Sequence, residues 1–554
     1  MFVANPTDKE KLLDAWSEQL PAKTLELLKK SKGYQFYLLI FRHIKEEDFR
    51  CLYSEKWSCP NSPVNQLVAA IVLCTQRNWS HAELESQLAF NIEIRVALGL
   101  SDILISPFTM RTYYNFQNRL FAYERLTGIN LLKQVFTHLT DKQLKDLSLD
   151  TSIQRIDSVL MESNIQNYTR ISLLVELLRR LYLILSKKDQ EAHYFLFKPY
   201  LKGGEKFAYE LKPSDKDNQL AALGQVYYSL NKLLSASYKK QIVFQTFIRA
   251  FQDHFEVGEQ EGEQAVVVKV RKGNLGSNTL QSPDDLDATF RKKREEFHRG
   301  FVAFGVETCH PDNELNLVTT IDAASNNTDD TTFLEEHLEE MVERTPTLNE
   351  LHTDGGFGSP DVDKIAATEK VTIIQTAVKG RSAEVPIAIQ GEEKQGFVVD
   401  CPHEEQPSVK ATKTKKNYKA SFDLTICNTC PLRQKCPAFK IKSVKKNLAT
   451  FYFPADAALM QKRHKAVKEI PKERQTLRAG VEGLMGQMHR GAKHTGKLKV
   501  RGLLPTKLYV FAMGITINFE RIYKWLFPKK AVDSTFLAFF ALTALFKYLS
   551  RQKN

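Results

Sequence analysis

Four groups of residues in this chain have the types and spacing that chemistry needs. Leu348–Ser359 reads as a short strand that ends at Asp354 and turns on Gly355 and Gly356. Glycine there allows positive φ or a close backbone approach to a ligand. A carboxylate at that strand end can therefore reach a metal ion or a substrate at a sheet edge. A second acid lies in Arg478-x3-Glu482-x6-His489-Arg490. Helical positions three and four apart share a face, so Arg478 and Glu482 stack and His489 lies two turns further on. An acid flanked by cations can hold a metal while the cations hold phosphates. A third acid, Asp157, sits in the alternating, β-branched stretch Ser152–Leu160, with Asp150 as a nearby rival. Separately, Cys427-x2-Cys430-x5-Cys436 has metal-ligand spacing. A Cys-x2-Cys turn puts two thiolates on one tetrahedral ion, and zinc is the ion expected. Cys401 is the first candidate for the fourth ligand and His403 the second.

The totals narrow the partners. The 554 residues exceed one core and point to two or three domains. A formal charge of +13 and a pI of about 9.1 point to a polyanionic partner, above all nucleic acid. Eight cysteines in a chain this long do not make a disulfide scaffold. No secretory signal is recognised at Met1–Pro6, so an intracellular, cytoplasmic location is expected. Phe536–Leu545 is too short to span a bilayer and reads as a buried or subunit-contacting helix.

The elements that must position these residues follow in order. Residues 1–145 read as helices, with Ser80-His81-Ala82-Glu83 as a capping box and Gly99 as a helix stop. A helix opened by Ser106-Pro107 carries Arg111 and Arg119 on a polar, aromatic face. It suits either a helix-turn-helix-like DNA reader or a plain bundle. After the Asp157 strand comes a helical stretch from Ile171 to about Phe255 with a leucine stripe, which is core. Glu256–Glu263 reads as a polar link. Strands follow at Val266–Val270, Phe301–Thr308 and Leu315–Ile321, then a helix at Asp329–Val342, the Asp354 strand and a strand at Val371–Ala377. This order is that of an α/β domain with a mixed sheet. Ser382–Phe453 alternates like short strands and carries Lys410, Lys413, Lys415, Lys416, Lys419, Lys440, Lys442, Lys445 and Lys446. Helix returns from Ala455 through His489 with a break at Pro471. A basic link from Lys493 to Arg501 leads to an amphipathic helix, Lys507–Trp525. Those lysines, with Lys493, Lys497, Lys499, Arg501 and Lys507, are expected to hold DNA phosphates and to make binding steeply salt-dependent.

The ordered set of motifs resembles bacterial insertion-sequence DDE transposases. Gln154-Arg155-Ile156-Asp157-Ser158 with Ser163-Asn164-Ile165 looks like their first-acid strand. Ser282–Phe290 resembles a segment that precedes the second strand in one branch. Thr353-Asp354-Gly355-Gly356-Phe357-Gly358 is similar to the second-acid turn, and Arg478-Ala479-Gly480-Val481-Glu482-Gly483 to the third-acid helix. Val500–Leu503 and Asn518–Arg521 resemble the tail, and Asn78-Trp79-Ser80 with Arg95–Leu100 the N-terminal module. The resemblance implies a ribonuclease H-like catalytic domain and the triad Asp157, Asp354 and Glu482, choosing Asp157 over Asp150. It implies cleavage of transposon-end DNA and strand transfer with two Mg²⁺ or Mn²⁺ ions. Asp157 would bridge the ions, and Asp354 and Glu482 would each hold one. Gln475 and His489 stand where a related signature has tyrosine and lysine, while Arg478 keeps its place. DNA contacts are expected from Arg478, His489, Arg490, Lys497, Lys499, Arg501, Arg111 and Arg119. The cysteine-rich insert also resembles one in this branch, with Cys401, Cys427, Cys430 and Cys436 as zinc ligands.

The expected architecture is therefore α/β. A helical DNA-binding region (1–145) precedes a ribonuclease H-like domain (146–381 and 454–525) with a helical insertion (165–258). A β-rich basic insertion (382–453) and a C-terminal helix (526–554) complete it. A homodimer on double-stranded DNA is the expected working form. The other class of function that fits is a DNA-binding protein without catalysis, such as a decayed or domesticated transposase.

Overall fold

β1 (Ile153–Glu162) is the strand on which the rest is assembled. In this computed structural model the described residues are all except 1, 6–8, 57–58, 106, 260–265, 274, 378–383, 394, 404, 440–441, 444–446, 490–495 and 529–554. β1 pairs antiparallel with β5 (Glu296–Thr308) and parallel with β7 (Glu350–Thr353). The mixed sheet runs β4-β5-β1-β7-β8, with β4 Thr289–Lys293, β8 Thr372–Gln375, and β6 (Val318–Ser325) also pairing with β5. Side chains alternate between the faces of a strand. One face, with Ile156, Val302, Phe304 and Val306, packs on Phe333, Leu334, Leu338 and Met341 of one helix and Val362 and Ala366 of another. The other face, with Val159, Met161, Phe301 and Ala303, joins a core shared with the N-terminal helices and the last helix.

The N-terminal helices are α1 (Lys9–Gln19), α2 (Ala22–Lys30), α3 (Lys32–Leu39), α4 (Val64–Gln76), α5 (His81–Phe90), α6 (Ile92–Ala97), α7 (Met110–Thr127) and α8 (Leu131–Asp146). The Ser80–Glu83 capping box is present, and Gly99 follows α6 at φ 67°. α7 is capped by Thr109, whose hydroxyl accepts from Thr112 N–H, three residues later than the Ser106-Pro107 start expected.

α9 (Arg170–Ile184), α10 (Lys187–Phe197), α11 (Gly204–Glu210), α12 (Lys216–Tyr238) and α13 (Ile242–His254) form a separate core with the leucine stripe inside. The expected polar link at 256–263 is instead in part a strand. β2 (Phe255–Glu259) pairs with β3 (Val266–Val270) in a hairpin outside the main sheet. α14 (Asp330–Arg344) and α15 (Pro360–Thr368) cover the sheet. The insertion holds β9 (Ala388–Glu392), β10 (Gly396–Asp400), β11 (Val409–Lys410), β12 (Thr412–Lys413), β13 (Tyr418–Asp423), α16 (Leu424–Thr429), β14 (Lys442–Ser443) and β15 (Leu448–Phe453). These make two small sheets around one core.

α17 (Ala457–Glu469), α18 (Lys472–Ala479), α19 (Val481–His489) and α20 (Leu503–Leu526) follow. The helix expected at 507–525 as amphipathic is in fact buried nearly all round from Thr506 to Phe519. Asn518 explains its seating. Its amide accepts from Val318 N–H at 2.7 Å and donates to Val318 C=O at 2.9 Å, so it caps β6 as a neighbouring strand would. Glu520 meets Lys32 of α3 at 2.8 Å, and Arg521 meets the fully buried Glu307 at 2.6 Å. No helix among the described residues is long and apolar enough to cross a membrane. The run Phe536–Leu545 lies outside the described residues.

Candidate catalytic site

The register of two parallel strands puts the first two acids side by side. Arg155 of β1 pairs with His352 of β7, and Asp157 and Asp354 each stand two residues beyond that pair. Neighbouring strands lie about 4.8 Å apart, so two residues at one level are within reach of a common group. That group here is Arg478 of α18. One of its terminal nitrogens donates to Asp157 Oδ2 at 2.9 Å and stands 4.0 Å from Asp354 Oδ2. Asp157 Oδ1 accepts from Ser158 N–H at 2.8 Å, and Asp354 Oδ1 accepts from Gly356 N–H at 2.7 Å.

Of the two uses expected of the glycines after Asp354, positive φ is not the one found. Gly355 and Gly356 are not among the glycines with positive φ. Gly356 is needed for space: a Cβ there would stand 2.8 Å from Asp354 Oδ1 and 2.6 Å from Asp330 Oδ2. Asp330 opens α14 and accepts from Ser158 Oγ at 2.8 Å. Three carboxylates thus crowd one end of the sheet. Burial pushes the Asp157 carboxyl above its usual range, and the charges of Asp354 and Asp330 push the same way against Ser158 N–H and Arg478. Asp330 was not legible as a site residue, because an acid in the first turn of a helix reads as an ordinary charge at the helix N-terminus.

Glu482 stands in the first turn of α19, exposed, and makes no hydrogen bond or ion pair among the described residues. Its helix lies on the right strands. Leu484, Met485 and Met488 close over Gly305 of β5, which is the ladder partner of Asp157. What aims this helix is Arg155. Its guanidinium pairs with Glu307 at 2.6 Å and donates to Leu477 C=O at 2.6 Å, and it lies directly against Gly480, where α18 gives way to α19. Behind it Glu350 accepts from Arg474 and from His352, and Arg521 completes the buried cluster on Glu307. Among the described residues, no group of three or more His, Cys, Asp or Glu stands ready to hold a metal ion. Asp157 and Asp354 share Arg478, and Glu482 does not join them.

A family model described as a transposase DDE domain matches residues 400–523. That match spans residues 400–523 of the 554, so it is this C-terminal segment that is similar to DDE transposases. No curated protein and no solved structure matches the chain. The matched transposase segment contains the cysteines from Cys401 on, Arg478, Glu482 and most of α20, and it lies downstream of Asp157 and Asp354.

Within that segment Cys401, Cys427, Cys430 and Cys436 line one cavity of about 20 Å³ together with His403. All four thiols are free. Burial raises the Cys401 and Cys427 thiols, and the neighbouring cysteines add to the shift. Among the described residues, His403 Nδ1 is buried without a hydrogen-bond partner. The four cysteines and His403 thus share one cavity, but no three of them stand together as a ready metal site.

Several expected DNA contacts have partners in the protein. Lys497 donates to Ile165 C=O at 2.6 Å, Arg501 to Asn164 C=O at 2.7 Å, and Lys499 to Asn78 C=O. The first two bonds brace the turn that follows β1, and the third holds the turn between α4 and α5. Lys507 stands 3.7 Å from Asp322. Arg119 lies over the Tyr53 ring at 4.9 Å, and Arg111 is exposed. His489 is exposed at the end of α19, and Lys410, Lys413, Lys415 and Lys416 are exposed on the insertion. Arg490, Lys440, Lys445, Lys446 and Lys493 lie outside the described residues. The motif Ser282–Phe290 turns out to be a clamp. Buried Asp285 accepts from Ser163 Oγ at 2.5 Å and Gly502 N–H at 3.0 Å, and Asp287 accepts from Leu503 N–H at 2.9 Å. Acids at those positions satisfy free amides at the start of α20.

Proposed function

We propose that this chain is a transposase that cuts transposon-end DNA and joins the freed 3′ end to target DNA, using Asp157, Asp354 and Glu482 on a ribonuclease H-like sheet. One observation carries the reading. Asp157 and Asp354, nearly two hundred residues apart in sequence, each stand two residues beyond the last pair of the β1–β7 ladder and face Arg478, four residues before Glu482. The acids fit divalent cations: an Asp157 carboxyl pushed up by burial and two like charges lacks positive charge that Arg478 only partly supplies. Asp157, Asp354 and Glu482 would hold Mg²⁺ or Mn²⁺, hard ions that suit carboxylate oxygens. When bound, such ions supply Lewis-acid activation and neutralise charge on the phosphate.

The residues of the chain supply the rest. Arg478 is placed to hold a phosphate oxygen once it leaves Asp157, with the fork of donors suited to that contact. The exposed cations Arg111, His489 and the insertion lysines would follow the DNA backbone, as would Arg490 and Lys493. The cysteine pocket would hold a structural zinc through Cys401, Cys427, Cys430 and Cys436, the soft donor set that ion prefers. The residue ranges 1–145, 146–381 with 454–525, and 382–453 would act as DNA-binding, catalytic and accessory units. A homodimer would pair two ends, at work on DNA inside the cell.

A second reading, DNA binding without catalysis, draws support from Glu482 standing apart from the other acids. The test is end cleavage by the full chain on DNA carrying the inverted repeats that flank its coding region. Asp157→Ala, Asp354→Ala and Glu482→Ala are each expected to abolish cleavage in Mg²⁺, by on the order of 10³-fold or more, and to keep end binding. Cleavage retained by one variant removes that residue from the site. Binding without cleavage by the unaltered chain, in Mg²⁺ and in Mn²⁺, favours the second reading.

A further inference from the structure

A hollow of about 280 Å³ lies between the turn joining α4 to α5, the face of α7 and the start of α20. Its walls are aromatic and apolar, with Trp79, Tyr113, Phe121 and Leu508 among them. Tyr509 also lines it, and among the described residues its buried hydroxyl has no hydrogen-bond partner, in a residue only 9% exposed. A buried hydroxyl left unmatched is costly, so such groups in folded proteins mark a missing partner. Arg501 and Lys499 stand at the rim. Arg501 is exposed, and among the described residues it bonds through its Nε, to Asn164 C=O, which leaves its two terminal nitrogens to meet a phosphate.

The hollow is built rather than incidental. Trp79 N–H donates to Cys74 C=O at 3.0 Å, and Cys74 Sγ donates back to Trp79 C=O at 3.3 Å. Asn78 adopts φ 53°, a left-handed conformation that asparagine tolerates, and Lys499 holds its carbonyl. Across the hollow His81 stacks edge-on to Tyr113 at 5.4 Å.

We propose that this hollow takes up one unstacked nucleobase of a DNA strand bound at the acidic site. Planar aromatic walls, one buried polar group and a cationic rim are what a base with its flanking phosphate requires. The position fits. Arg501 is bonded to Asn164, just past the end of β1, and Asp157 lies five residues back from that end. At about 3.3 Å per residue the separation is roughly 17 Å, or about five base-pair steps. The proposal rests on the reading that the chain handles DNA.

The test uses the full chain and a short duplex with one unpaired 2-aminopurine, beside the same duplex fully paired, at one salt concentration. The unpaired duplex is expected to bind about 10-fold tighter, with the 2-aminopurine fluorescence quenched on binding, as one base–aromatic stack supplies. Trp79→Ala should erase the preference and keep the paired-duplex affinity. Tyr509→Phe, which alters only the buried hydroxyl, should lower the preference about 3-fold. If both duplexes bind equally without quenching, the base pocket falls and the DNA reading stands. If neither binds, both fall. Quenching of the protein's tryptophan fluorescence by micromolar free deoxynucleoside monophosphates, with no preference for the unpaired duplex, would assign the hollow to a free nucleotide and overturn the proposal. Should Trp79→Ala fail to fold, the unmodified protein's 2-aminopurine signal and Tyr509→Phe decide.

Discussion

The acidic site and the cysteine pocket are assembled in opposite ways. Asp157, Asp354 and Arg478 come from three distant parts of the chain and meet through sheet register and a helix break. The four cysteines lie between Cys401 and Cys436, inside one small core of the insertion. The acids repel one another and stay partly open, with the Asp354 side chain 38% exposed. The thiols turn inward on a cavity that water-filled surface chemistry does not need. Groups gathered by local spacing can serve the fold, whereas groups held against their own repulsion by long-range structure serve something outside it.

The sharpest break of this contrast is metal content. Purified chain is expected to carry about one zinc, and Cys427→Ser to lose it and to melt the insertion separately from the rest, because structural zinc binding is folding free energy. Asp354→Asn should leave zinc and melting of the insertion alone. Elemental analysis and differential scanning calorimetry on the three proteins decide it. Absence of zinc from the unaltered chain removes the structural role.

A smaller effect should separate Gly480, at the break between α18 and α19, from Gly483 of α19. A Cβ at Gly480 would press on the Arg155 guanidinium, which is already tied to Glu307 and Leu477, whereas one at Gly483 meets open space. Gly480→Ala is expected to destabilise by about 1–3 kcal/mol and to slow end cleavage. Gly483→Ala is expected to stabilise by roughly 0.5–1 kcal/mol. Urea melts of both variants measure the difference, and equal values would mean that Arg155 yields and does not aim α19.

What could be read from residue order divides along the same line. The Ser80–Glu83 capping box, the β1 alternation and the leucine stripe are rules over a few neighbours, and each element formed as they require. The cysteine spacing is of the same local kind, and its residues line one cavity. Asp157 was separated from Asp150 by resemblance alone. In the fold Asp157 faces Arg478, while Asp150 accepts from Ser152 N–H and stands 3.8 Å from His310, away from that group. Partners far along the chain were beyond such rules. Nothing near Asp330 announces Ser158, and nothing near Asp285 announces Gly502. Lys497, Lys499 and Arg501 each hold a backbone carbonyl of another segment, a partner that their own neighbours in sequence do not announce. The burial of α20 on every side also depends on partners from α4, α8 and β6, which its own composition does not reveal.

The least of the expected effects tests the sign of strain at the acidic site against an ordinary ion pair. Glu340 of α14 is held down to about 2 by its hydrogen bond to His337 and by Lys133. Its stabilising contribution is present above the unfolded carboxylate range and is lost as pH falls toward 2. Asp157 is shifted the other way, by burial first. The folded state then binds the Asp157 proton more tightly than the unfolded chain does, so its ionisation becomes a stability penalty as pH rises above the usual aspartate range of about 3.9. Asp157→Asn should therefore raise the melting temperature at neutral pH, by about 2 °C or less, and the gain should shrink on acidification below that range. Glu340→Gln should lower it at neutral pH and converge with the unaltered chain at acid pH. A pair of melting curves against pH for each variant would show the two lines bending in opposite directions. A fall in stability for Asp157→Asn at neutral pH would mean that Arg478 outweighs burial and the two neighbouring acids, and that the carboxylates are a settled ion cluster rather than a site short of positive charge.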